Sequence, residues 1–475
     1  MDQQLIYCPT RRQALLQGDE IAIKSAHQEL TFAQLDQHID SLSKQFMDAG
    51  LVAGDRLICI AENAIKLILL QLTCIRNAII FCPLNPRFSA LEIQQRLQIL
   101  ASPFIWHEQP SESLTDACLP LYFTLDNNNS DNIVSNNAPH PIDPLQVVSI
   151  IFTSGSSGQP KAIMHHFSNH FYSALGSQAQ IPLHHGDTNL LSLPLFHISG
   201  YATVIRTLLA GATLYISKHR LTVELLKKQK ITHLSLVATQ LYRLLADNHF
   251  QHDNLSIKHL LLGGSAFSKQ LLMQVTTRGF TYHLSYGLTE MSSQVATSTN
   301  DSCLQVLKFS ELTIVNDEIL LRGKTRFVGY FNGKQGCSLL AKDAWFASKD
   351  IGKISAQRLQ IIGRKDRQFI SGGENIQPEE IERLLLAFPC VKQAYIVSID
   401  EPVFGQRPVA FIDCDNLSAL ISQFESVLAH QLSRYKRPIH YFSLPVQSTL
   451  KVSLTALQQI AQQRYKEIKC PPDRA

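Results

Sequence analysis

"TFAQLDQHIDSLSKQFMDAGLVAGDRLICIAENAIKLILLQLTCIRNAIIFCP", Thr31 to Pro83, changes its apolar spacing three times. In its first part Leu35, Ile39, Leu42 and Phe46 fall at three- and four-residue intervals, one face of a helix. Thr31 followed by Gln34 reads as a capping box, and Gly50 as the residue just past the helix end. "DRLICIA" then reads as a buried strand, "NAIKLILLQLTCIRNA" as a helix and "IIFCP" as a second strand. Helix alternating with strand predicts a mostly parallel sheet covered by helices, an α/β architecture.

Outward from that stretch the chain has 475 residues, more than one core usually organises, so two or more domains are expected. After "GRKDR" near residue 364 the pattern restarts. "QPEEIERLLLAF" has Pro378 near a helix start, acids in its first turn, and Ile381, Leu384, Leu385 and Phe388 along one face. The strands "QAYIVSI" and "RPVAFIDC" follow, so a small separate α+β domain is predicted over 364–475, behind a large domain over 1–363. The polar "LDNNNSDNIVSNNAPHPID" reads as a surface loop or short linker.

Hydrophobic residues are 45% and charged residues 17%, ordinary for a soluble enzyme, and a spread net charge of +4 gives no argument for nucleic acid. Lys66 and Arg76 bracket "LILLQLTCI" too tightly for a membrane span. The first twenty residues lack a signal-peptide hydrophobic region, and the ten cysteines show no metal-ligand spacing. Reduced thiols and a cytoplasmic location without membrane insertion are expected. The sequence leaves a homo-oligomer open.

Four stretches carry chemistry. In "IFTSGSSGQPK" Thr153, Ser154, Ser156 and Ser157 supply hydroxyls, Gly155 and Gly158 let backbone N–H groups point inward, and Lys161 adds a positive charge. Such a loop can wrap a polyphosphate, although a plain surface turn has similar composition. It is not a Walker A loop, because Gln159 and Pro160 separate the second glycine from the lysine. "SYGLTEM", Ser285 to Met291, offers an aromatic ring, a hydroxyl and a carboxylate, suited to a base, a phosphate and a magnesium ion. In "LPLFHISG" His197 sits among apolar residues, where a histidine is more often part of a core. "GRKDRQFISGGENIQPEEIE" alone reads as an interdomain turn.

In this order, from about Thr31 to Ala456, the stretches resemble the adenylate-forming superfamily of acyl-CoA synthetases, adenylation domains and luciferases. The resemblance implies a large N-terminal domain and a small mobile C-terminal one. It also implies two half-reactions: a carboxylate attacks the ATP α-phosphate, then a thiol, usually that of CoA, displaces AMP. Residue by residue, it gives Thr153 to Gly158 with Lys161 as the phosphate loop. Gly264, Ser265 and Ala266 flank adenine, and Ser285, Tyr286 and Gly287 form the segment stacked on it. Thr289 contacts phosphate and Glu290 holds magnesium. Asp350 and Arg364 bind the ribose, and Asp366 is the hinge. Gly372 and Gly373 line the CoA tunnel, His197 gates the acyl pocket, and Lys451 is the lysine delivered to the α-phosphate.

Two departures stand out. Where the family commonly has Arg-Thr-Gly-Asp, this chain has "ASKD", with Ser348 and Lys349 before Asp350 and no glycine; and Leu450 stands where a glycine usually precedes the lysine. Lys436, in "SRYKRP", reads as a surface or domain-contact residue. No acid closely follows Phe196 and His197, which disfavours an amino-acid substrate. The stretches look most like those of the 2-succinylbenzoate–CoA ligase family of menaquinone synthesis. In that family an arginine on the helix after the histidine holds the substrate's second carboxylate, and Arg206 occupies the matching place. Gly287 is assigned to the acid-binding side as well. The alternatives are a ligase for another aromatic or fatty acid, an adenylation domain loading a carrier protein, and a non-catalytic nucleotide-binding relative.

Overall fold

The computed structural model describes residues 6–108, 119–125, 138–154, 160–264, 267–333, 336–341, 343–356, 358–371, 374–402, 404–445 and 452–469. The opening stretch folds as its spacing predicts. Thr31 caps the helix Phe32–Asp48 in a reciprocal box with Gln34, and Leu35, Ile39, Leu42 and Phe46 are buried. Gly50 takes φ +80°, the left-handed conformation that glycine adopts without steric cost.

Two large mixed sheets hold most of the chain. In one, among the described residues, the strands Ile80–Leu84, Arg56–Ile60, Phe104–His107 and Leu119–Pro120 run parallel; Val147–Ser154 extends the parallel set and pairs antiparallel with Pro160–His166. The other centres on the parallel strands Thr213–Tyr215, Thr188–Leu190, His233–Leu236, His259–Leu262 and Tyr282–Leu288, and Ser293–Thr299 closes it antiparallel. The mostly parallel sheet expected from sequence is thus two sheets with antiparallel margins.

Strand alternation divides their side chains between layers. Leu57 and Cys59 join a core that reaches the other sheet through the helices Phe32–Asp48, Ile65–Arg76 and Ile198–Leu209. Ile58 and Ile60 face the opposite side, under the helix Ala90–Leu100. Ile65–Arg76 is buried on nearly all sides, and mostly apolar, because it lies within that shared layer. Arg76, at its end, is buried and pairs with Asp36 and Asp40, so the charge that argued against a membrane span has a structural partner. Among the described residues no helix is long and apolar enough to cross a membrane.

Beyond these sheets, Ser310–Val315, Glu318–Gly323, Phe346–Ser355 and Arg358–Arg364 form an antiparallel sheet. From Phe369 onward, among the described residues, the strands pair only with one another: Phe369–Ser371, Glu374–Ile376, Val391–Glu401, Gly405–Cys414 and Tyr441–Ser443. The helix Pro378–Leu385, with proline in its first turn, buries Ile381 and Leu385 against them. The polar stretch departs in part from its reading. Residues 126–137 lie outside the described ones, but Pro141–Ile142 pairs with Ile6–Tyr7 and Ile142 is buried, because the pairing satisfies backbone groups beside an apolar side chain.

Candidate active site

The phosphate loop begins and ends on one hairpin. Thr153, on Val147–Ser154, lies opposite Lys161, on Pro160–His166. Gly155, Ser156, Ser157 and Gly158 lie outside the described residues, as does the side chain of Ser154. The Lys161 ammonium sits 5.4 Å from the centre of the Tyr330 ring, and the Tyr330 hydroxyl donates to Glu290 Oε1 at 3.3 Å. Glu290 lies on the single 3-10 turn Thr289–Met291 that follows the strand Tyr282–Leu288. Burial raises its carboxyl pKa above the usual range, opposed by the Tyr330 hydrogen bond and the charges of Lys161 and Arg364.

Upstream on the same strand, the pairing with Ser293–Thr299 shifts register between Tyr286 and Gly287. A Cβ on Gly287 would lie 1.9 Å from the Ser293 carbonyl oxygen, so only glycine fits this bulge. Ser285 is half-buried beside Gly263. Gly264, at φ +85°, turns the chain at the end of the neighbouring strand; Ser265 and Ala266 lie outside the described residues.

The Tyr286 hydroxyl donates to Asp350 Oδ2 at 2.6 Å, and Arg364 Nη1 donates to Asp350 Oδ1 at 3.1 Å. Asp350 and Arg364 are cross-strand neighbours in the antiparallel sheet, which fixes the pair. Arg364 also donates from Nε and Nη2 to Asp366, at 2.9 and 2.8 Å. Asp366 lies on the 3-10 turn Lys365–Arg367, between the antiparallel sheet and the C-terminal sheet. Burial raises the Asp350 carboxyl pKa, against the lowering effect of Tyr286 and Arg364.

The "ASKD" departure has a structural explanation. Ser348 keeps a hydroxyl's work: it donates to the Ile319 carbonyl at 2.7 Å and accepts from the Asp350 N–H at 3.0 Å. Lys349 adopts φ +62°, a left-handed conformation that glycine takes without strain. Lys436 pairs with Glu380 at 2.7 Å, in keeping with a contact residue. Lys451, Gly372 and Gly373 lie outside the described residues.

On the other flank, His197 occupies the position before the helix Ile198–Leu209, exposed, with its ring edge-on to Phe196. Gly200 lets that helix approach the preceding turn, since a Cβ there would meet the Pro194 carbonyl oxygen at 2.1 Å. Arg206 does not reach out to bulk solvent. It donates to Thr203 Oγ1 at 2.7 Å and lies 3.4 Å from Ser235 Oγ. It lines a small solvent-connected recess together with Gln178, Asn189, His233, Ser235 and His259. Among the described residues no carboxylate pairs with Arg206, and burial lowers its pKa to about 10. The sequence reading missed Tyr330 and Ser235; both arrive from distant strands, and nothing in their local sequence announces them.

Two helix-covered sheets with a phosphate hairpin and a smaller C-terminal sheet are the architecture of an adenylate-forming enzyme. The chain belongs to the AMP-binding enzyme family, whose model matches residues 10–331. It is 33% identical over 462 residues to the 2-succinylbenzoate–CoA ligase of Escherichia coli strain K12, covering 96% of this chain and 98% of that one. A variant of E. coli MenE solved with bound OSB-AMS superimposes with a TM-score of 0.84 at 31% identity, over 98% of this chain and 100% of that one. The o-succinylbenzoate–CoA synthetase of Bacillus subtilis, in complex with ATP and magnesium, shares the fold at a TM-score of 0.80 and 23% identity, over 96% of this chain and 100% of that one.

Proposed function

We propose that this chain is a cytoplasmic ATP-dependent ligase that activates 2-succinylbenzoate as its acyl-adenylate and transfers the acyl group to CoA. The observation that carries the choice of acid is Arg206, a largely enclosed cation with no carboxylate partner among the described residues, facing a recess. A dicarboxylate has one group to react and one to bury, and burying the second without a cation would be costly. The 33% identity to the E. coli ligase supports the same substrate.

The residues present fit magnesium. Glu290 is a part-buried oxygen donor without an ion pair among the described residues, and those residues hold no cluster of three or more metal-ligating side chains. Such a site suits an ion held by one carboxylate and substrate phosphates. When bound, the ion neutralises charge on the phosphates. Lys161 and the Thr289 hydroxyl bind the polyphosphate, Tyr286 stacks on adenine, and Asp350 with Arg364 holds the ribose hydroxyls. The substrate carboxylate oxygen attacks the α-phosphorus and pyrophosphate leaves. The CoA thiolate then attacks the acyl carbon and AMP leaves.

Residues 364–475 act as the moving domain about Asp366. They deliver Lys451 to the first transition state and the Gly372–Gly373 turn to the pantetheine tunnel of the second. Pyrophosphate exchange across a panel of acids tests the reading: exchange with 2-succinylbenzoate and magnesium is expected. ADP and phosphate as products would overturn it.

A further inference from the structure

The strand Pro160–His166 carries more than Lys161. Side chains alternate along a strand, so Lys161, Ile163 and His165 share one face, while Ala162 and Met164 pack into the core on the other. His165 is fully buried, and its Nε2 lies 2.7 Å from the Thr289 carbonyl oxygen. A carbonyl only accepts, so Nε2 carries the hydrogen and Nδ1 of the neutral ring must accept. The donor available is Ser149 Oγ, 3.4 Å away on the adjacent strand. Ser149 also lies 2.9 Å from His170 Nε2. If His170 donates to Ser149, and Ser149 to His165, every hydrogen in the chain points toward Thr289.

That chain is one of three grips on a single turn. The Glu290 carbonyl accepts from the Phe327 N–H at 2.8 Å, and the Ser292 carbonyl accepts from Ser173 Oγ at 2.7 Å. Ser292 itself is left-handed, at φ +54°. Without these donors the Thr289 carbonyl would keep only the Ser292 N–H, at 3.0 Å, and the Glu290 and Ser292 carbonyls would lose these partners, at a cost that favours rearrangement.

Resting on the ligase reading, we infer that His165, with its hydrogen placed by Ser149, is a positioning residue: it ties the return strand of the phosphate loop to the turn bearing Thr289 and Glu290. One strand thereby sets both the cation for the phosphates and the carboxylate for magnesium, at a spacing of four residues.

The test is calorimetric titration of ATP with and without magnesium, which needs no turnover, beside pyrophosphate exchange on the same samples. For His165→Leu, the magnesium-dependent gain in ATP affinity should fall about 3- to 10-fold, the range of one lost buried hydrogen bond, with magnesium-free ATP binding little changed. His165→Gln restores a donor near Nε2 and should recover most of that gain. Ser149→Ala should give a loss of the same sign and smaller size; it also carries the comparison if His165→Leu does not fold. An unchanged magnesium gain in the folded variants, or equal losses in His165→Leu and His165→Gln, would overturn the inference. A parent protein that binds magnesium–ATP but exchanges no pyrophosphate with any acid would instead overturn the ligase reading and leave the calorimetric result standing.

Discussion

Asp350 and Arg206 are both charged groups taken largely out of water, and the protein treats them in opposite ways. Asp350 has a partner on each carboxylate oxygen, Tyr286 on one and Arg364 on the other, and Arg364 is braced in turn by Asp366. Arg206 has one close hydroxyl, a second at 3.4 Å and no carboxylate partner among the described residues. The nucleotide side is therefore organised by the protein's own charges. The acid side holds a cation whose desolvation is only partly compensated, so an anionic ligand gains there what the protein does not supply. On the proposed assignments, preorganisation serves the nucleotide and the underpaired cation serves choice of the acid.

The most severe way to break the nucleotide side is Glu290→Ala. A metal contact supplies several kcal/mol to charge stabilisation, so pyrophosphate exchange should fall by about 10³-fold, measured at saturating acid. Residual exchange near the parent rate would place the magnesium carboxylate elsewhere.

On the acid side, Arg206→Ala should reduce kcat/KM for 2-succinylbenzoate by about 10- to 200-fold, the loss of a charge-assisted hydrogen bond. Arg206→Lys should recover part of it, because an ammonium cannot reproduce the planar fork. An analogue lacking the benzoate carboxylate should be poor with the parent and nearly indifferent to the mutation. Equal damage to both acids would reduce Arg206 to a structural residue. The comparison with Asp350 sharpens here. Arg206→Ala should leave stability unchanged or slightly raised, whereas Asp350→Ala should lower it by about 1–3 kcal/mol, since it strips partners from Tyr286 and Arg364. Urea unfolding of the two variants reads the contrast directly.

A smaller effect concerns pH. Burial raises the Glu290 carboxyl pKa in the folded protein above its unfolded value. The folded state therefore binds the proton more tightly, and the group's contribution is fully present below the unfolded value near 4.3 and lost as pH rises through the folded one. Glu290→Gln removes this dependence. Its ligand-free stability relative to the parent should grow from pH 4 toward neutrality, and magnesium with ATP should close the gap by stabilising only the parent. A gap independent of pH would show that burial does not raise the Glu290 pKa.

Much of this was legible in the sequence, for reasons that differ by residue. The helix Phe32–Asp48 announced itself through local spacing and a cap, both written in adjacent residues. Lys161 and Gly287 were singled out as site residues, but the hairpin and the bulge that carry them were not read from the sequence. Two sheets in place of one were not legible, because periodicity reports that a strand is buried but not which strand it pairs with. Arg206 could be singled out as the one charge in "GYATVIRTLLAG", but its turn toward Ser235 depends on a strand nearly thirty residues away. Tyr330 and His165 act through contacts across 40 and 124 residues, with no signal short of the fold itself.

The smallest expected effect lies beside Asp350, at the residue that replaces a glycine. Lys349 is held at φ +62°, where a side chain bearing a Cβ costs about 1–2 kcal/mol. Glycine would relieve that strain but lose more backbone entropy on folding, about 0.5–1 kcal/mol. The balance favours Lys349→Gly by about 0.5–1 kcal/mol. The backbone N–H that donates to Glu318 Oε1 at 3.1 Å is kept, so the turn into Asp350 retains its anchor. What is lost is an exposed charge whose pull helps lower the pKa of Asp366, a contribution weakened by solvent. Lys349→Ala separates the two effects, since it removes the charge and keeps the strain. The expected order of urea midpoints is Lys349→Gly above the parent and Lys349→Ala at or just below it, with a common denaturant slope. Should Lys349→Gly fall below the parent, the lysine's charge toward Asp366 would outweigh the strain. The nucleotide-side network would then extend one residue further than its hydrogen bonds indicate.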